Sequence, residues 1–328
     1  MNRIIFTCGD TNGIGPEIVI KTLNRISKRG NSIYYFACPS NVFEETISVV
    51  KPVFKYEITK SFKANNTSGK IVIIDTGKIK ITHGYPTKYS GKAAFKSIST
   101  AYSIIKSGYA DAMVTAPISK YAINSAGFNF PGHTEMLAEW CGVKKFVMMF
   151  LSKHMNSALI TIHEPVKRVS SLITKKLLQD RINIIMNCLI SDLHYKEPKA
   201  ALLGLNPHAG EDGLIGKEEI DTIRPAIMKS LFANYIYGPF SPDAFFANKL
   251  YKQYDVVIGM YHDQVLIPFK MLNFSSGVNY TAGLPIIRTS PDHGTAFDIA
   301  YKGIADESSI WEAYIYAEKI ANNRRNNK

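Results

Sequence analysis

Arg3-Ile4-Ile5-Phe6-Thr7-Cys8-Gly9-Asp10-Thr11-Asn12-Gly13-Ile14-Gly15-Pro16-Glu17 passes from a β-branched and aromatic run through a glycine-rich turn into a helical pattern. That pattern extends from Pro16 to Lys28 and carries proline in its first turn, where a missing N–H costs nothing. The same alternation recurs along the chain. Strands are expected at Arg3 to Cys8, Ser32 to Cys38, Lys70 to Asp75, Asp111 to Thr115, Lys145 to Leu151, Ser157 to Ile162, Lys199 to Leu205, Tyr235 to Tyr237 and Asp255 to Met260. Helices fit between most of them, among them Gly91 to Lys106, Lys175 to Leu189 and Lys217 to Lys229, with a final one from Ser308 to Asn322. Short strands alternating with longer helices predict an α/β protein with a largely parallel sheet. There is no internal repeat, and the polar run Lys60 to Gly69 reads as a surface excursion rather than a linker.

The chain has 328 residues, 46% of them hydrophobic and 20% charged, which is ample material for one large core or two domains. No apolar run approaches the roughly 20 residues that span a bilayer, and the run at Ile4-Ile5-Phe6 stops at Gly9-Asp10, so a cytoplasmic protein is expected. Cys8, Cys38, Cys141 and Cys188 are far apart in apolar surroundings and read as buried free thiols. The net charge of +12 attracts polyanions in general, but the basic residues are scattered and no nucleic-acid-binding motif accompanies them. The basic end, Asn322 to Lys328, reads as a frayed tail.

Four features carry chemistry. The turn Gly9 to Glu17 lets backbone approach a ligand closely, yet it lacks a full dinucleotide or P-loop spacing, so a ligand loop and a tight structural turn both fit it. His163, His208 and His262 each follow a candidate strand, the end at which α/β proteins bind ligands. Singly each fits a hydrogen-bonded structural role; together they fit a catalytic divalent-metal site, with Asp243 or Asp263 as ligand or outer partner. His133 and Thr134 stand at a helix start, suited to an anionic group, although Thr134 also fits a plain N-cap. Finally, Gly277 to Asp298 interleaves glycine with so many hydrogen-bonding side chains that it is poor core material and good site material, and Arg288 within it can fork onto a carboxylate or phosphate.

Eight blocks in order closely resemble the 4-hydroxythreonine-4-phosphate dehydrogenase family of the pyridoxal phosphate pathway. They are GDTNGIGPE (9–17), TAPISK (115–120), PGHTEML (131–137), HEPV (163–166), LNPHAGEDGLIGKEE (205–219), GPFSPDAFF (238–246), YHDQ (261–264) and GVNYTAGLPIIRTSPDHGTAFDIA (277–300). The resemblance implies a fold like that of the isocitrate and isopropylmalate dehydrogenases: two α/β domains around a central groove, the first being 1–128 plus 285–328 and the second 129–284. It implies a homodimer with a shared active site, in which His163 and His208 of one subunit and His262 of the other bind one divalent metal (Zn, Mg, Co or Mn). His133, Thr134, Lys270, Asn279 and Arg288 match the family's substrate-binding positions, and Asp292, His293, Gly294, Thr295, Ala296 and Asp298 match a loop that binds the adenosine of NAD or NADP. The chain departs from the family pattern at Thr11-Asn12 (Pro-Ala in many members), Ser119 (Asn), Val265 (Gly) and Tyr301 (Gly).

The expected reaction is metal-assisted, NAD(P)-linked oxidation of 4-phosphooxy-L-threonine to a β-keto acid, which decarboxylates to 3-amino-2-oxopropyl phosphate. Asp243, Asp263 and metal-bound hydroxide are the candidate general bases. Relatives acting on threonate or erythronate phosphates share this framework. A metal-dependent phosphate-ester hydrolase fits the histidines but leaves the 292–298 loop unexplained, and a nucleic-acid-binding protein has net charge as its only warrant.

Overall fold

In the computed structural model the described residues are 1–29, 32–60, 62 and 70–327. Apart from Lys60 and Phe62, the expected polar excursion Lys60 to Gly69 lies outside them. The first strand, β1 (Arg3–Thr7), has Ile4, Ile5 and Phe6 fully inaccessible, as a parallel strand covered on both faces requires. It is followed by α1 (Gly15–Ile26), β2 (Ile33–Cys38), α2 (Ser40–Val49), β3 (Glu57–Thr59), β4 (Ile71–Asp75), α3 (Lys88–Lys106), β5 (Ala112–Thr115), α4 (Lys120–Ser125) and α5 (His133–Trp140). Thr87 and Ser90 close a capping box at the start of α3. Gly91, one turn further, packs so closely on α4 that a Cβ there would collide with the Ala122 carbonyl.

Next come β6 (Val147–Leu151), β7 (Ser157–Leu159), α6 (Val166–Leu172), α7 (Lys175–Ser191), β8 (Ala200–Leu203), α8 (Arg224–Met228), β9 (Ile236–Phe240), α9 (Pro242–Ala247), β10 (Val256–Gly259), α10 (His262–Asn273) and β11 (Val278–Ala282). The chain closes with β12 (Arg288–Pro291) and α11 (Ser308–Asn326). Two compact units result, Met1–Trp140 with Pro285–Asn322, and Cys141–Leu284 with Asn323–Lys328. The division falls after Trp140 rather than after residue 128, so His133 and Thr134 belong to the first unit.

In the first unit the strand order is β3-β4-β2-β1-β5-β12, every pair parallel. In the second it is β11-β6-β7-β10-β8-β9, with β6 antiparallel to both neighbours and the remaining pairs parallel. Phe150, Leu159, Leu203, Phe245, Val257, Val265 and Phe269 form the heart of the second unit's core. Each such side chain contributes about 1.5–3 kcal/mol by leaving water.

Three expectations change in the folded chain. The Lys217 to Lys229 helix is a π-turn (Glu219–Ile223) followed by α8, because Pro225 has no N–H to continue the ladder and Arg224 N instead reaches back five residues to Glu219 O. The segment 277–291, expected to be site rather than core, contains two buried strands, since its polar groups find partners: Tyr280 OH donates to Asp192 (2.6 Å) and Thr289 Oγ1 to Ala313 O (2.8 Å). The basic end is no frayed tail. Helix α11 continues to Asn326, and Arg324 donates from Nε (2.7 Å) and Nη2 (3.0 Å) to the buried Asp192 carboxylate.

Candidate active site

In the second unit, β7, β10 and β8 lie side by side and parallel, and His163, His262 and His208 follow their carboxyl ends. His262 is the first residue of α10, and its Nδ1 lies 2.7 Å from the Asp263 carboxylate, a contact that fixes the ring and leaves Nε2 for a ligand. The His163 ring centroid is 6.0 Å from that of His262 in the same chain. His163 itself sits in left-handed backbone, φ 52°.

His208 opens a feature no sequence pattern announces. From His208 to Asp212 five successive residues have positive φ, between 43° and 84°, a left-handed turn in which only Gly210 is free of a Cβ penalty. Glu219 holds it. This side chain, 1% exposed, accepts Leu205 N (2.7 Å) and Asn206 N (2.8 Å) on Oε1 and Asn206 Nδ2 (2.9 Å) on Oε2. A Cβ on Gly210 would press on the same carboxylate and on Gly216 O. Among the described residues no group of three or more His, Cys, Asp or Glu is gathered closely enough to hold a metal within one chain.

Asp243 is exposed, and a 2.6 Å hydrogen bond from Ser241 Oγ keeps its carboxyl below the usual range. Lys270 is exposed on α10, eight residues or roughly 12 Å along the helix from His262. Asn279 is half-buried on β11, opposite Phe150.

The first unit holds a buried cationic corner. Arg288, on β12 and 3% exposed, donates from Nε to Thr115 Oγ1 at the end of β5 (3.0 Å). Burial lowers its pKa to about 9, with the Glu135 charge working against that shift. His133, at the start of α5, is 8% exposed, and burial, helped by the Arg288 charge, pushes its pKa well below the ordinary value. It is therefore neutral at pH 7, and its Nε2 has no hydrogen-bond partner among the described residues. Thr134 is buried beside it. A buried guanidinium, a neutral imidazole and a helix start together favour an anion.

The opening turn, for which a ligand loop and a structural turn were both open, has its amides engaged. Asp10 N donates to Pro117 O, Asn12 N to Asp10 Oδ1, Gly13 N to Asp10 O and Ile14 N to Thr295 O. Glu17 is a structural pin, paired with Lys21 at 2.9 Å and accepting Ala305 N. The turn thus braces the loop Asp292 to Asp298. In that loop Gly294 has open space where a Cβ would be, while His293 Nδ1 is 2.9 Å from Gly294 O.

A family profile described as pyridoxal phosphate biosynthetic protein PdxA matches residues 31–317. The chain belongs to the PdxA family. A relative named 4-hydroxythreonine-4-phosphate dehydrogenase from Bacteroides thetaiotaomicron is 38% identical, covering 99% of this chain and 90% of its own. One of the same name from Zymomonas mobilis is 39% identical over 99% of this chain and 97% of its own. The crystal structure of a 4-hydroxythreonine-4-phosphate dehydrogenase from Klebsiella pneumoniae superposes with a TM-score of 0.83 at 33% identity, covering 98% of this chain and all (100%) of that one.

Val265, Ser119 and Asn12, which depart from the expected family pattern, have defined structural roles. Val265 points into the core, and glycine at 259 makes room for it, since a Cβ there would collide with Val265 Cγ2. Ser119 caps α4 through Ala122 N (3.1 Å). Asn12 bonds Tyr85 O (2.8 Å) and accepts Thr82 N (3.0 Å). Thr115, Glu135 and Glu219 are the residues that sequence reasoning did not single out. The position of Thr115 at a strand end was a usable signal; the burial of Glu219 was not.

Proposed function

We propose that this chain catalyses metal-dependent, NAD(P)-linked oxidation of 4-phosphooxy-L-threonine to a β-keto acid that decarboxylates to 3-amino-2-oxopropyl phosphate, in the biosynthesis of pyridoxal phosphate. The observation that carries this reading is the Arg288–His133 corner, a buried cation beside an unpartnered neutral imidazole, in a chain whose relatives bear the name of that dehydrogenase. Arg288, His133 and Thr134 bind an anionic group of the substrate and help orient the reacting carbon, and Lys270 and Asn279 are further substrate-binding residues by their match to the family.

The donor set suits a divalent ion such as Zn, Mg, Co or Mn. Three imidazoles, each following the carboxyl end of a strand, are the donor type that such ions take in catalytic sites. His163, His208 and His262 would hold the ion, Asp263 would orient the His262 ring, and the strained turn would present His208. Such an ion would supply Lewis acidity to the substrate hydroxyl and to the later ketone, and NAD or NADP would supply the hydride acceptor. The Asp292 to Asp298 loop would bind the adenosine end of that cofactor. Asp243, held ionised by Ser241, and Asp263 remain the candidates for proton removal.

The site is proposed to be completed in a homodimer working in the cytoplasm. Helix α10, which begins at His262, exposes Ile267, Met271 and Leu272, with Phe274 (90% exposed) just beyond its end, a face suited to a second copy. Mixing His163→Ala, His208→Ala and His262→Ala homodimers in pairs identifies the shared ligands, because only pairs whose ligands come from different subunits regain activity. The activity itself is tested by incubating the protein with 4-phosphooxy-L-threonine, divalent metal and NAD or NADP. Reduced cofactor without phosphate release is expected; phosphate release alone would refute the reading.

A further inference from the structure

Three segments of the first unit meet around Tyr301. The opening turn touches the nucleotide loop through Ile14 N and Thr295 O (3.0 Å) and through Gly13, where a Cβ would press on Thr295 O. It touches the segment 82–87 through Asn12, which bonds Tyr85 O, Thr82 N and Thr87 Oγ1. Segment 82–87 touches the nucleotide loop where Gly84 lies against Phe297 O. Tyr301, just beyond that loop, reaches both other segments. Its hydroxyl donates to Thr11 O (2.6 Å), and its ring stacks on His83 at 4.1 Å and 23°, while His83 Nε2 sits 2.8 Å from Glu45 Oε1.

This tyrosine has φ 58°, left-handed backbone that suits glycine and that a bulky side chain adopts only when its surroundings compel it. The strain therefore marks side-chain contacts strong enough to hold the turn against its local preference. We propose that Tyr301 is a positioning residue for cofactor binding, clamping the Asp292 to Asp298 loop against the opening turn and the 82–87 segment in the shape that receives the nucleotide. The proposal rests on the reading of that loop as the adenosine site. Tyr301 acts through the loop: it raises the share of molecules whose loop is ready to bind, and apparent affinity scales with that share.

Tyr301→Gly separates positioning from mere stability, because glycine relieves the backbone strain while removing both contacts. NAD and NADP titrations by calorimetry on the full-length wild type, Tyr301→Gly, Tyr301→Phe and Asp298→Ala form the test, with melting temperature and amide exchange followed alongside. If the ready loop falls to one molecule in ten, Tyr301→Gly weakens nucleotide binding about tenfold. Faster exchange at 292–300 with a melting temperature no lower than wild type should accompany that loss. Tyr301→Phe, keeping the stack on His83, should recover most of the affinity. Nucleotide affinity within twofold of wild type in Tyr301→Gly, with Asp298→Ala weakened, overturns the clamp alone. Unchanged affinity in Asp298→Ala overturns the loop reading and the clamp with it. A lowered melting temperature with nucleotide and substrate affinity reduced alike makes Tyr301 a stability residue and also overturns the clamp.

Discussion

Replacing Glu219 by alanine should both destabilise the second unit and weaken metal binding, because one buried carboxylate holds the loop that carries His208. Its two oxygens accept Leu205 N, Asn206 N and Asn206 Nδ2 at 2.7–2.9 Å. Alanine would strand the buried Leu205 and Asn206 backbone amides, while Asn206 Nδ2 keeps its 2.9 Å bond to Glu218 Oε2. Each unsatisfied buried donor costs about 1–3 kcal/mol. Partial relaxation brings the expected total to about 3–5 kcal/mol, the range for breaking a buried charged network. Glu219→Gln keeps one acceptor oxygen and should cost only about 1–2 kcal/mol.

The five left-handed residues from His208 to Asp212 have no local reason to persist once that anchor is gone. Metal affinity should therefore fall at least tenfold in Glu219→Ala, about 1.4 kcal/mol. Urea unfolding of the three proteins, with zinc or cobalt titration by calorimetry, measures both effects. A stability loss below about 1 kcal/mol together with wild-type metal affinity would refute the reasoning. Lost stability with retained affinity would show that Glu219 holds the fold without setting His208.

Asp10 is fully buried, and desolvation raises its carboxyl to about 6, against hydrogen bonds from Asn12 N and Ser90 Oγ. A raised folded-state pKa means that its stabilising contribution is complete below the ordinary carboxyl value of 3.8 and is lost as pH rises through about 6. Asp10→Asn should flatten that decline in pH-dependent unfolding curves and gain up to about 3 kcal/mol at pH 7; an unchanged pH profile would contradict the burial argument. Arg288→Lys keeps a charge but loses the planar fork to Thr115 and the anion, so kcat/KM should drop by about tenfold or more, and wild-type kinetics would remove Arg288 from the substrate set. Arg324→Ala removes the cation from the buried Asp192 carboxylate and leaves it neutral donors such as Tyr280 OH and the Cys188 thiol. It should cost about 3–5 kcal/mol in urea unfolding, whereas a loss under 1 kcal/mol would restore the view of a dispensable tail.

The sequence by itself determined the α/β class, since alternating apolar strands and amphipathic helices are local patterns, and it put His163, His208 and His262 after strands that turned out to be neighbours. It also carried the family, because the matching blocks are contiguous words. It misjudged the burial of 277–291 and the order of the basic end for one shared reason. A polar residue reads as surface until its partner is known, and here the partners are distant in the chain: Asp192 stands 88 residues from Tyr280 and 132 from Arg324, and Arg288 stands 173 from Thr115. Only tertiary structure could decide that these groups are buried and satisfied, that Glu219 props a left-handed turn under His208, and that a tyrosine occupies a backbone conformation suited to glycine. Each is a balance between local cost and long-range contacts, and the second term does not exist until the chain has folded.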